Sequence, residues 1–221
     1  MAEAREGVDV KLFYSPGACS LAPHIALEET GAEFERVLVD FGQGAQRSAD
    51  YLAINPKGRV PAVSDEGFVV TENPAVLRYI ARKYPAAGLW PEDAREDARC
   101  LEWLGWCTSG VHVAYAHMRR PERYATSEAA KADVVARGRE AAREVWEQVE
   151  AKLAKQGTGW AAGEGYSVAD PYIFTFWTWG RGKALGYDMA RDFPRWTEHA
   201  RRMGERGAVR RALAREGIAA P

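Results

Sequence analysis

The chain has 221 residues, 47% hydrophobic and 28% charged, enough apolar material for one large domain or two small ones, which excludes a mainly disordered chain. Thirty Lys and Arg against 31 Asp and Glu leave a net charge of −1, so the balance points to no nucleic-acid and no membrane partner. No run nears the ~20 apolar residues of a membrane span, the start MAEAREGVDVK lacks a signal-peptide pattern, and three cysteines are too few for a disulfide scaffold. A soluble, cytoplasmic globular protein is expected.

The first expected element is an apolar, β-prone run at Val10–Tyr14, broken by Ser15-Pro16-Gly17. Leu21, Ile25 and Glu28-Glu29 follow at helical spacing up to Gly31, and residues 34–39 are again strand-like. A strand, a helix and a strand in so short a stretch match a right-handed parallel crossover unit. A polar loop, 42–50, leads to the turn signal Asn55-Pro56-Lys57-Gly58. Residues 60–63 and Phe68–Thr71 flank Ser64-Asp65-Glu66-Gly67 as a β-hairpin. Asn73-Pro74 reads as a helix N-cap followed by proline at the first helical position. That helix runs to about Tyr84, Pro85 ends it, and residues 85–91 read as a linker.

Beyond the linker the helical period dominates, with helices expected over 92–119, 127–155, 168–182, 194–206 and 209–216. Ser167-Val168-Ala169-Asp170 has the form of a capping box. The fold class is an α/β N-terminal domain, 9–85, followed by an all-α C-terminal domain, 92–217.

Cys19 is the most informative residue. It follows a strand and a Pro-Gly turn and precedes a helix, where free amides and the helix dipole favour an anion, so an acidified thiol is expected. Position alone also fits a buried, inert cysteine. Ser20 beside it is a candidate hydroxyl donor. No second cysteine completes a Cys-x-x-Cys pair, which disfavours a dithiol oxidoreductase. Cys100 and Cys107, seven apart on one expected helix, lie ~10.5 Å apart along its axis, too far for a disulfide.

The four histidines, His24, His112, His117 and His199, form no zinc spacing, and no metal is expected. His112 shares a helix face with Leu101, Leu104, Gly105, Thr108 and Tyr115, which also suits a structural histidine. A nucleophile elbow and a phosphate loop are both absent. The arginines of 200–215 alternate with Met203, Val209 and Leu213 as the solvated face of an amphipathic helix. The tryptophans and residues 174–179 read mostly as core, with part of the set available to line an apolar pocket.

Val10 to Leu21, with Pro16-Gly17-Ala18-Cys19-Ser20 at its centre, resembles the opening of the bacterial beta-class glutathione S-transferases, whose cysteine faces the glutathione sulfur. Asn55-Pro56-Lys57-Gly58-Arg59-Val60-Pro61 is similar to the family's segment carrying a cis-proline, and Thr71-Glu72-Asn73-Pro74 falls where the family binds the γ-glutamyl group. Leu101-Glu102-Trp103-Leu104 with His112 resembles the fourth-helix segment and its active-site histidine. The resemblance runs from Val10 to about Gly217.

It implies a thioredoxin-like N-terminal domain, a helical C-terminal domain and a homodimer. Glutathione is the implied co-substrate, a small apolar electrophile the partner, and detoxification the role. Cys19, Ser20, His112 and Tyr14 are the implied catalytic residues; Cys19, Arg59, Val60, Pro61, Glu72, Asn73 and His112 the implied glutathione contacts. Val60 would pair with the cysteinyl backbone, Glu72 with the ammonium, and the helix start at Asn73 with the γ-glutamyl carboxylate. Tyr115 and Met118 are candidate liners for the electrophile.

The chain departs from relatives in having no lysine in the 41–50 loop, where Gln46 or Arg47 would substitute, and in Gly105 where several have asparagine. Two other functions fit the same residues: a thiol transferase or disulfide reductase working through a Cys19 mixed disulfide, and a non-catalytic glutathione or ligand binder.

Overall fold

The computed structural model describes residues 9–221; the N-terminal segment read above as lacking a leader lies mostly outside them. The chain divides into two compact units. One extends to Trp90 and takes back Arg206–Ala220, and the other spans Pro91–Glu205. The last helix thus leaves the C-terminal domain to which its place in the chain assigned it.

The first unit carries a four-stranded mixed sheet ordered β2-β1-β3-β4, built from β1 (Val10–Tyr14), β2 (Glu35–Leu38), β3 (Ala62–Asp65) and β4 (Phe68–Thr71). β1 pairs in parallel with β2 and antiparallel with β3, and β3 pairs antiparallel with β4. The crossover between the parallel pair is α1 (Leu21–Thr30), which Gly31 ends at φ 69°, where a residue without Cβ carries the left-handed conformation at least cost. The hairpin turn narrows to Glu66-Gly67, both at positive φ, the two-residue form that matches strand twist. This is the thioredoxin-like arrangement expected from the resemblance.

Three local expectations change. The loop after β2 contains a short α2 (Ala49–Ile54), capped by Ser48, whose hydroxyl accepts from the Tyr51 N–H. The cap of α3 (Asn73–Lys83) is Glu72, so Asn73 is the first helical residue and Pro74 the second. The arginines of α10 (Gly207–Glu216) are not merely solvated. Arg211 and Arg215 pair with Glu28 of α1, and Arg206, just before the helix, pairs with Glu29.

The second unit is helical, as expected, with one interruption. The run expected over 92–119 is α4 (Ala94–Trp106), a π turn over Cys107–Val111, and α5 (His112–Arg119). It continues with α6 (Glu128–Gln156), α7 (Ala169–Gly180), the short α8 (Met189–Asp192) and α9 (Pro194–Glu205). Its core holds Trp103, Trp146, Trp196, Tyr172, Phe174 and Phe176, all fully buried. Asp170 ties the start of α7 to its surroundings by accepting from the Ser167 N–H at 2.7 Å, the Ala161 N–H at 2.8 Å and His199 Nε2 at 3.0 Å. The cap of α7 is Val168 and not the expected Ser167, but the carboxylate half of the capping box forms on the Ser167 N–H and is extended by a loop amide and an imidazole.

Two glycines of this unit behave oppositely. A Cβ at Gly105 meets nothing within 4 Å, whereas one at Gly138 would stand 2.8 Å from the Met118 backbone nitrogen, where α5 and α6 cross. Gly105→Ala is expected to raise stability by ~0.5–1 kcal/mol through helix propensity. Gly138→Ala should lower it by ~1–3 kcal/mol because the helices must part. Urea denaturation of the two variants checks both signs.

Candidate functional site

The turn between β1 and α1 carries Cys19. Gly17 stands at φ 69°, the Ala18 N–H bonds the Ser15 carbonyl, and Ser20 Oγ both accepts from the Ser15 N–H and donates to its carbonyl, each at 3.2 Å. Ser20 is fully buried. Its hydroxyl therefore shapes the turn, and its expected role as a donor to a substrate sulfur is withdrawn.

Tyr14 also has contacts of its own. Strand alternation sends Phe13 to the cluster of Val39, Tyr51, Val60 and Ala62. Tyr14 has its ring 5.9 Å from that of His24, with the Arg36 guanidinium 5.7 Å from its centroid. These contacts engage Tyr14 with α1 and β2, and a part in catalysis is a proposal.

Cys19 itself is buried, and its thiol donates to the Val60 carbonyl at 3.3 Å. The Val60–Pro61 peptide is cis, as the resemblance implies. The expected acidified thiol is overturned: burial pushes Cys19 up to about 12, against the smaller opposing effects of its own backbone amide, the Asn73 side chain and Arg59. The turn and helix dipole do favour an anion, but removing a thiolate from water costs more than they return.

The residues around Cys19 come from three stretches of the chain. Asn73 donates from Nδ2 to the Cys19 carbonyl at 3.1 Å. Its Oδ1 is buried without a hydrogen-bond partner among the described residues, an uncommon state for a buried acceptor and one a ligand donor would satisfy. Arg59 is exposed, and its carbonyl accepts from Tyr51 Oη at 2.7 Å and Asn55 Nδ2 at 2.6 Å, which fixes the approach to Val60-Pro61.

Glu72 stands at φ 73°, ψ 125°, a conformation that costs a non-glycine residue ~1–3 kcal/mol and concentrates at ligand sites. Its half-exposed carboxylate pairs with Lys57, which also donates to Thr71 Oγ1 at 2.8 Å. Lys57 is the residue sequence reasoning missed. It stands in the quoted Asn-Pro-Lys-Gly segment, while a cation was sought among residues 41–50.

His112 belongs to the second unit and opens α5 directly after the π turn. Its ring meets Trp179 edge-on at 5.1 Å and Phe176 at 5.9 Å, and Tyr115 stacks on Trp179 at 4.4 Å. His112 and Tyr115 stand three residues apart on α5, so they share one face and meet Trp179 as one aromatic wall. Met118 is buried near the crossing with α6. Cys100 and Cys107 are buried free thiols. Among the described residues no cluster of His, Cys, Asp or Glu has metal-binding form, and no helix is long and apolar enough to cross a membrane.

Two family models match the sequence: glutathione S-transferase, N-terminal domain, over residues 8–82, and glutathione S-transferase, C-terminal domain, over residues 109–206. Glutathione S-transferase GstA of Escherichia coli O157:H7 is 34% identical across 95% of this chain and 100% of its own length. Among solved structures, a glutathione transferase homologue from Sulfitobacter with bound glutathione superposes with a TM-score of 0.88 at 35% identity, covering 96% of this chain and all of the other. A sphingomonad glutathione S-transferase complexed with glutathione gives 0.80 at 42% identity, covering 95% of this chain and all of the other.

Proposed function

Since the chain belongs to the glutathione S-transferase family, we propose that it is a beta-class, cysteine-type enzyme that conjugates the glutathione thiol to small apolar electrophiles, acting as a cytoplasmic homodimer. The observation that carries this reading is the hydrogen bond from the buried Cys19 thiol to the Val60 carbonyl beside the cis peptide.

Val60 offers the backbone edge for the cysteinyl residue of the tripeptide. Once that carbonyl accepts the peptide N–H instead, the Cys19 S–H is released to donate to the incoming sulfur. A hydrogen bond to a thiolate lowers its pKa and holds it ready for attack. A neutral Cys19 suits this task, because a second thiolate beside the first would repel it. Glu72 accepts from the ammonium, and the N–H groups opening α3 receive the γ-glutamyl carboxylate. Asn73 Oδ1 accepts an N–H of the same ligand, and Arg59 adds positive charge near the sulfur. Within the second unit, His112, Tyr115 and Trp179 supply aromatic surface for an apolar substrate.

Thiol transfer through a Cys19 mixed disulfide is the second reading, and the sulfur itself favours it. Burial weighs against it, since the thiolate is the attacking species. The test is turnover of glutathione with a chloronitrobenzene, run beside reduction of a mixed disulfide and retention on immobilised glutathione. Conjugation exceeding disulfide reduction is expected. Retention with neither activity would make the protein a binder.

A further inference from the structure

Glu216 ends α10, and its carboxylate is fully enclosed. Both facts count against it: a negative charge opposes the dipole at a helix C-terminus, and burial strips it of water. Docking of α10 does not require it. Val209, Ala212 and Leu213 are buried, and Arg211 and Arg215 already grip Glu28. What Glu216 adds is a link to the turn that carries Cys19.

Its Oε2 accepts the Gly17 N–H at 2.9 Å, and its Oε1 lies 2.6 Å from Nδ1 of the fully buried His24. His24 Nε2 is 3.7 Å from Glu28 Oε1, so the imidazole stands between the two carboxylates. The Gly17 contact reaches across 199 positions of chain to a glycine two residues before the cysteine. The rest of the turn is closed locally by Ser20 on Ser15.

We propose that Glu216 is a positioning residue for Cys19: by holding the Gly17 N–H, the C-terminal helix fixes the turn so that the sulfur meets the Val60 carbonyl. The proposal rests on Cys19 serving the glutathione site, and it brings α10 into that apparatus. Glutamine at 216 keeps an acceptor for Gly17 and a polar partner for His24, whereas alanine removes both contacts.

The test is the iodoacetamide alkylation rate read on the Cys19 peptide, together with kcat/KM for glutathione. In Glu216→Ala the loosened turn should expose the sulfur, speeding alkylation about tenfold and lowering kcat/KM about tenfold, the scale of one hydrogen bond to a charged group. Glu216→Gln should restore both to within about threefold. Gly138→Ala, which forces α5 and α6 apart in the other unit, should lower the melting temperature and leave alkylation unchanged.

Wild-type alkylation rates in the alanine variant overturn the proposal, as does failure of glutamine to restore what alanine loses. Native-state hydrogen exchange on the wild-type chain decides the matter even if the alanine variant does not fold. The Gly17 amide should open together with α10 as one unit, and a Gly17 amide that stays protected while α10 opens contradicts the proposal. If the wild-type protein turns over no electrophile and no disulfide, the proposed function fails, while alkylation and exchange still report on the clamp.

Discussion

Cys19→Ala is expected to lower glutathione conjugation about a hundredfold, the scale seen when one preorganised donor to a developing anion is removed. Cys19→Ser should retain conjugation to within about tenfold, because a hydroxyl in the same place still donates. Neither variant can form a mixed disulfide. The pair separates the two chemistries that a cysteine at this position permits. If the thiol acts as a donor to glutathione sulfur, serine substitutes for it. If it acts as a nucleophile on disulfides, serine and alanine fail alike. Ser20 rescues neither variant, since its hydroxyl is spent on the Ser15 backbone. Steady-state kinetics with a chloronitrobenzene and with a glutathione mixed disulfide measure both outcomes. A serine variant as impaired in conjugation as the alanine variant would remove the donor role.

Asp170→Ala should destabilise the helical unit by ~3–5 kcal/mol, the range for removing one member of a buried, hydrogen-bonded set. The carboxylate is fully buried and satisfies the Ser167 N–H and hydroxyl, the Ala161 N–H and His199. Its loss strands groups that water cannot reach. The Trp103 indole N–H, which donates to the Ala161 carbonyl at 2.6 Å, would lose its fixed partner as that loop loosens. Urea denaturation followed by tryptophan fluorescence gives the free-energy change directly, and a loss under ~1 kcal/mol would show that the Asp170 set does not hold the start of α7.

The elements legible in the sequence are those with long patterns and explicit punctuation. Gly31 stops α1, Ser127 opens α6 by accepting from the Ala130 N–H, and Phe68–Thr71 is the hairpin strand expected after the turn. What escaped lacks such a pattern. α2 has only six residues, fewer than two turns, so its periodicity is lost in the polar loop. The π turn before His112 changes hydrogen-bond partners without changing residue types, and Cys107 to Val111 read as ordinary helix. Amphipathicity showed that α10 buries one face but not against which partner. Its true one, α1, is more than 170 residues away in the chain.

The site divides in the same manner. Cys19, Val60, Glu72 and Asn73 were legible because contiguous motifs carry them, and the fold draws them together. The protonation state of Cys19 was not. The sequence displays the turn and helix start that favour a thiolate, but the burial that opposes it arises only when the fold closes around Cys19. Lys57 and Glu216 were missed for a related reason: each acts on a residue distant in sequence, Glu72 in one case and Gly17 in the other.

The most direct measurement is the pH dependence of Cys19 alkylation in the protein free of glutathione, read at the Cys19 peptide so that Cys100 and Cys107 do not intrude. With the thiol held at about 12 by burial, the rate should climb steadily with pH and show no plateau below about pH 10. A rapid reaction that levels off near pH ~7 would mean that Cys19 rests as a thiolate, and would contradict its role as a protonated donor.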